Sequence, residues 1–544
     1  MTAFVQTPKE SSFAGLVLPQ TVLSTMIKEA VAGVGMGGAW ESTNRRNKNM
    51  IGWDYSSGSA DADALPYVDD LRGQSRDLYR NNNLAGGAIR TMATSVVGTG
   101  LRPQAAIDAD ILGITEAESD RMKTEFERYF FLWADSQNAD LRRTLNFWQM
   151  QDLVILTQLM SGDAFTIRRF KERQGSAFGV CLQILEGDRC ATPPGKSEFS
   201  DRIRSGVEQD EDGAPIRYHF RGAHPGDIHA SASAIKWTSV PAFDAEGARL
   251  TLHHYEVERP EQTRGTPYLA PVVESLKQLG RYTEAELTAA VVSGMFSVMI
   301  KSELPSGLAG QLPGGIPGGI PGGIPGQIPG STPNNGVTPP GTSMTRLQSG
   351  MIMDLAPGES VEVVNPNRPN TAFDPFMMSI SRQIAARLEL PLEVLVKHFT
   401  ASYSASRGAL LEAFKVYRRR RDWMVSSFCR PVWEWVITEA IARGYIDAPG
   451  FFESPLKRAA WLGCTWTGAP MGQLDPLKEA KAATEWMGNK ARTLQQVTAE
   501  HFGTDYEDNL KQIGKERRQM ASLPPDPNVP APVASPAADP NEEE

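Results

Sequence analysis

Apolar residues along this chain recur mainly at helical spacing, interrupted once by a stretch that alternates. Leu71, Leu78, Ile89, Met92, Val96 and Val97 mark two helices after Asp61. Asn81, Asn82 and Asn83 form a cap or turn between them. Gly98, Gly100 and then Pro103 end the second helix. Further helices are predicted over 116–133, with Met122, Phe126, Tyr129 and Phe130 on one face, and over 147–159. Residues 164–169, 179–185, 216–219 and 250–257 then alternate as strands, with a hairpin turn at Glu211, Asp212 and Gly213. The helical period returns over 268–300, over 374–390 up to Pro391, and over 407–443, where Pro431 kinks or divides the helix. Short strand-like pieces are predicted at 351–355 and 361–364, and helices at 476–487 and 494–502. The pattern predicts an α+β chain, mainly helical, with its β unit at about 164–258.

Composition changes this picture in two places. Residues 313–330 repeat Pro-Gly-Gly-Ile, which strips backbone donors and adds chain entropy, so neither a helix nor a central strand runs through them. From Pro524 onward seven prolines and an acidic end give a segment that cannot bury apolar surface and is expected to be disordered. Residues 1–55 have weak periodicity; Trp40 and Trp53 could pin this arm to the body or to a neighbour. The remaining sequence, within a chain 41% hydrophobic and 22% charged, can bury a sizeable core.

Charge and cysteine usage exclude several classes. The net charge is −9, whereas a static nucleic-acid binder is usually basic. Cys181, Cys190, Cys429 and Cys464 are too few and too scattered for a disulfide framework, so a reduced setting is expected. No signal-peptide pattern opens the chain. Its longest uncharged apolar run, 287–300, is too short to span a bilayer.

Catalytic motifs do not emerge. The nearest approach to a phosphate loop, CATPPGKS at 190–197, has Cys in place of the first glycine and two prolines where donors are needed. His219, His224 and His229 recur every five residues beside Asp227, but Pro225 and Gly226 break any common face. His253 and His254 on a strand point to opposite faces. The Asp61/Asp63 and Asp108/Asp110 pairs read as caps and turns. No cofactor or metal is expected.

The densest positive patch is 415–421, with Lys415, Arg418, Arg419, Arg420 and Arg421. Four consecutive arginines on a helix cover all of its faces. They therefore meet acidic partners in the chain or a neighbouring subunit, or they lie near DNA. Just before them, 397–406 is small, polar and flexible with a basic start.

Six strings taken together resemble the lambda-type portal proteins of tailed bacteriophages: residues 71–103, 146–165, 182–189, 203–218, 264–275 and 375–411, the last containing LELPLEVL and FTASYSASRGALL. They occur in the family's order and cover about 60–450. The Pro-Gly-Gly-Ile repeat departs from the family pattern and reads as an insertion. The resemblance implies a non-enzymatic, homododecameric ring at one capsid vertex. Double-stranded DNA enters through it, driven by terminase, and later leaves by it. Implied partners are the chain itself, DNA, terminase, a major capsid or scaffold protein and a head–tail adaptor, without a membrane. The implied location is the virion, with the host cytoplasm during assembly.

On that resemblance the chain divides into an N-terminal arm (1–60), a wing (61–267), a first stem helix (268–300), a clip carrying the insertion (301–372) and a second stem helix (373–394). A tunnel loop (395–407), a long helix (408–450), a crown (451–520) and the tail (521–544) complete it. Lys397, His398, Ser402, Ser404 and Arg407 would face DNA, and the run from Lys415 to Arg421 would be inter-subunit or near DNA. Twelve copies at −9 carry about −108, which repels phosphate and lets DNA slide. Another head–tail ring protein remains an alternative reading, as does a DNA-processing hydrolase, against which the missing phosphate loop speaks.

Overall fold

A computed structural model describes residues 52, 57–198, 202–229, 236–295, 299–302, 359–362, 372–399, 402–470 and 475–522. The Pro-Gly-Gly-Ile repeat, the predicted strand at 351–355, most of the N-terminal arm and nearly all of the tail lie outside the described residues. All the helices and strands named below belong to the unit Ala60–Glu544.

After a short helical turn at Ala60–Ala64 and a 3₁₀ turn at Leu65–Tyr67 come two longer helices, α1 (Val68–Asn81) and α2 (Asn83–Val97). The Asn82 side chain caps α2 by accepting from the Ala85 amide. Strand β1 (Arg102–Ala105) comes next, where the sequence showed only a break at Pro103. Helix α3 (Glu116–Ala134) starts on a Thr115/Glu118 capping box, and α4 (Phe147–Ser161) on one formed by Asn146 and Gln149. Helix α4 is buried almost all round, which makes it central. Phe147, Met150 and Val154 face one core; Ile155, Leu156 and Leu159 face another.

The β unit has two antiparallel sheets. Strands β2 (Asp163–Phe170), β3 (Val180–Glu186) and β8 (Thr251–Tyr255) form one in the order β3-β2-β8. The other, β4-β5-β6-β7, uses Ile203–Arg204, Val207–Gln209, Pro215–Arg221 and Trp237–Pro241. The hairpin at 211–213 joins β5 to β6, as its Gly promised. Phe165, Leu185, Val207, Tyr218, Phe220 and Val240 make a third, smaller core between the sheets.

The predicted helix over 268–300 divides. A 3₁₀ turn at Ala270–Val272 leads into α5 (Val273–Met295), and Met299–Ser302 is a strand, β9, paired antiparallel with β10 (Glu359–Glu362). Its apolar run was equally compatible with a strand; pairing with residues 57 or more positions away decides the matter. Among the described residues, no helix is long and apolar enough to cross a membrane. Helix α6 (Phe373–Arg387) packs on α5, where Tyr282 lies against Phe373 and Phe376.

The chain then forms a short helix, α7 (Leu392–Val396), directly after Pro391. The expected loop over 395–407 is therefore shorter: the connection is 397–402, and Ser404 and Arg407 already belong to α8 (Tyr403–Met424). Pro431 does divide the long helix. It lies in the first turn of α9 (Arg430–Ala442), preceded by a π-helical turn at Val425–Cys429. The wider turn accommodates a residue with no amide proton and a ring that would clash in a straight helix. Last come α10 (Pro455–Trp461), β11 (Cys464–Thr467), α11 (Pro476–Gly488), α12 (Leu494–Phe502) and α13 (Tyr506–Ser522). Strand β11 pairs with β1 across more than 350 residues of sequence.

Candidate functional site: a buried ionic centre, a basic helix and the loop 397–402

Asp163, the first residue of β2, is fully buried. One of its carboxylate oxygens accepts from Arg72 Nη2 at 2.8 Å; the other accepts from Arg264 Nε at 2.5 Å. Both guanidinium groups are also buried. Arg72 donates further to the Ser161 carbonyl, and Arg264 to the carbonyls of Gly187, Cys190 and Ser205. Burial opposes ionisation of Asp163, but Arg264 and Arg72 outweigh it and hold the carboxyl well below its ordinary value. His253 Nε2 lies 3.3 Å from the same carboxylate, and burial lowers that imidazole to about 4 against the pull of Asp163. His254, on the other face of the strand, meets the Thr166 hydroxyl at 2.8 Å and is lowered by burial to about 3.

The backbone is fitted tightly around this centre. A Cβ on Gly187 would fall 1.9 Å from the Asp163 carboxylate, and one on Gly265 would fall 2.1 Å from the Gly162 carbonyl. Five of the six strings singled out in the sequence meet here, through Arg72, Asp163, Gly187, Ser205 and Arg264. A carboxylate with both oxygens engaged by arginine is a fastening between elements, not a general base.

The basic run on α8 separates by face. Arg420 is buried, pairs with Glu256 at 3.0 Å and stacks over the Tyr268 ring at 5.0 Å. Arg421 donates to the carbonyls of Ser95, Val96 and Ala469. Arg420 is taken up by this chain's own interior, while Arg421, only partly buried, is anchored by backbone carbonyls. Arg419 reaches Glu389 at 2.6 Å and Lys415 reaches Glu412 at 2.7 Å, both on the surface. Arg418 stands 3.8 Å from Glu500.

In the connection before α8, Lys397 has a left-handed backbone (φ 54°) and ends α7. Lys397, His398, Phe399, Ser402 and Ser404 are all exposed. The hydroxyls of Ser402 and Ser404 are 3.5 Å apart. Arg407 is partly buried, 3.9 Å from Glu479 of α11. Glu479 is 5% exposed, and among the described residues neither of its carboxylate oxygens has a hydrogen-bond partner.

The histidines spaced by five do not converge. His219 meets Glu208 and Ser239, while the His229 amide bonds Asp227. His224 lies 3.5 Å from Glu186 and 3.7 Å from Asp188. That trio is the one metal-like grouping among the described residues, and sequence spacing did not pick it out because Glu186, at the end of β3, and Asp188, just after it, are far from His224 in sequence. Arg76 already supplies the positive charge there, with two hydrogen bonds to Asp188, and His224 Nδ1 is occupied by the Gly226 amide. Ion pairing with Arg76 offsets the charge of these two acids.

A family model for the lambda family of phage portal proteins matches residues 46–421. Portal protein B of Escherichia phage lambda is 26% identical over 481 residues, covering 87% of this chain and 88% of that protein. The portal protein of Escherichia phage N15 is 25% identical over 485 residues, covering 88% of this chain and 89% of that one. Among solved structures, a chain in the neck of a native gene transfer agent particle, computed with C12 symmetry, aligns with a TM-score of 0.45 at 12% identity, covering 79% of this chain and 92% of that one. The family model spans more than half of the sequence and takes in the ionic centre, both packed helices α5 and α6, and the loop before α8, so the chain belongs to the lambda family of phage portal proteins.

Proposed function

We propose that twelve copies of this chain close into a ring whose central channel carries double-stranded DNA into the capsid and out again. The family is one of structural virion proteins, not enzymes. Membership of that family is the observation that carries the reading. The surface of α5 and α6 supports it: Leu287, Val291 and Phe376 are all exposed, as apolar residues are when a neighbouring subunit covers them. On this reading α5 and α6 are the stem, 301–372 the clip that docks terminase and later the head–tail adaptor, and 451–520 the crown. The wing 61–267 faces outward, towards capsid or scaffold protein.

The loop 397–402 then lines the narrowest part of the channel, with Lys397 and His398 nearest to DNA. Ser402, Ser404 and Arg407 continue along the start of α8. Lys397 supplies a mobile point charge that touches phosphate without the fixed fork of an arginine. Lys415 and Arg419 are exposed enough to meet DNA or the next subunit. Electron micrographs of the purified chain should show rings with a central hole. Lys397→Ala should leave the rings intact and change packaging efficiency or retention of packaged DNA. A stable monomer in sedimentation under several salt conditions would overturn the ring, and a ring with this loop on its outer rim would overturn the role of Lys397.

A further inference from the structure

A cleft of about 680 Å³ opens between α8, β11 and α12, and none of its lining residues belongs to the loop 397–402. Its walls carry Phe414, Arg418, Arg421, Trp466, Arg492 and Glu500. Two guanidiniums are fixed in place by aromatic faces: Arg421 lies 5.9 Å from the Phe414 ring and Arg492 lies 5.0 Å from the Trp486 ring. Arg418 and Arg492 share the single carboxylate of Glu500. Arg421 is satisfied by backbone carbonyls, and no carboxylate pairs with it among the described residues. With Asp422 counted, three cations face two anions in a groove that also presents two aromatic rings.

Aromatic rings beside fixed cations suit an extended, proline-rich and acidic peptide. The chain contains one. Residues 523–544 hold seven prolines, the acids Asp526, Asp539, Glu542, Glu543 and Glu544, and no Lys, Arg or His. They come directly after α13, which three residues separate from α12, a wall of the cleft. Helix α13 is about 25 Å long. Twenty-two residues in polyproline conformation reach roughly 70 Å, enough to double back along the helix.

We propose that this cleft binds the acidic, proline-rich segment 523–544, from the same chain or from a neighbouring copy. The inference does not depend on ring formation. Its probe is a fluorescein-labelled peptide of residues 523–544, titrated by anisotropy at low salt against full-length protein. One form keeps the natural tail; a second has Asp526, Asp539, Glu542, Glu543 and Glu544 changed to their amides; a third adds Arg418→Glu and Arg492→Glu to the second. The neutralised tail leaves the cleft open, so the peptide should bind the second form about tenfold or more tightly than the first. The third form should lose that binding by a similar factor, and salt should weaken it. Arg418→Gln with Arg492→Gln, which remove the two charges without reversing them, should act in the same direction if the reversal disturbs folding. Equal binding to all forms, or none to the second, would overturn the proposal. So would a short DNA duplex that outcompetes the peptide for the same arginines.

Discussion

Replacing Asp163 by Asn keeps the size of the side chain at the ionic centre and removes its charge. Arg72 and Arg264 would then face each other with no buried counter-ion, since the remaining carboxylate on Arg72, Asp69, is 88% exposed. The amide would also turn an N–H towards one of the guanidiniums. Breaking a buried pair in this way costs about 3–5 kcal/mol, because an uncompensated charge is left behind. At about 2.1 cal/mol/K of unfolding entropy per residue, a unit of this size has roughly 1 kcal/mol/K in all, so the melting midpoint should fall by about 3–5 °C. Differential scanning calorimetry at neutral pH and a fixed scan rate reads this directly. Asp244→Asn is the control: its 2.6 Å pair with Arg168 is partly exposed on both sides and should cost no more than about 1 kcal/mol. Adding Arg72→Met to Asp163→Asn should restore part of the loss by removing one orphaned cation. If Asp163→Asn shifts the midpoint no more than Asp244→Asn does, the centre is not the fastening described.

Buried groups elsewhere lead to two further outcomes. His253 and His254 sit at about 4 and about 3 when folded, below the ordinary 6.5, so the unfolded chain binds protons that the folded chain refuses. Their contribution is fully present above pH 6.5 and is lost as pH falls towards 4, by about 1.4 kcal/mol per pH unit for each. The depressed Asp163 carboxyl adds its own loss below about pH 4. Urea midpoints at pH 7.5 and 5.0 should differ accordingly, and His253→Gln with His254→Gln should flatten the slope; an unchanged slope would refute the assignment. On α8, Arg420→Ala should lower thermal stability by about 2–4 kcal/mol, Arg420→Met by less because its stem still packs, and Arg419→Ala by under about 1 kcal/mol. Equal losses at positions 419 and 420 would contradict the inward orientation of Arg420.

Local patterns made the capped helices readable. Thr115 with Glu118 and Asn146 with Gln149 announce α3 and α4, and the alternation of Phe165 and Ile167 announces β2. What depended on distant partners was not readable. Glu256 lies 164 residues from Arg420, so the run of arginines showed its charge but not its acceptor. Strand β1 exists because β11 pairs with it, and four residues beginning Arg-Pro carry no strand signal of their own. Helix α13 was missed because its surface is mostly polar or charged, leaving a thin apolar stripe. Asp163 stood inside a recognisable string, yet neither of its arginines is within 90 residues of it in sequence.

The π-helical turn before Pro431 constrains how this chain tolerates changes in length. Each residue added to a straight helix rotates everything beyond it by about 100°. A π turn holds one such extra residue, so α8 and α9 keep separate angular phases: Ala413 and Tyr417 of α8 pack in one core, while Met424 at its end and α9 pack in the other. Trp423, just before the turn, touches both cores and donates to the Tyr255 carbonyl. Excising a single residue from 425–429 would bring the two halves into one phase and swing either Arg420 away from Glu256 or Trp433 out of its packing. Length here is thus quantised: the residue count of the segment is fixed by the angle between two cores.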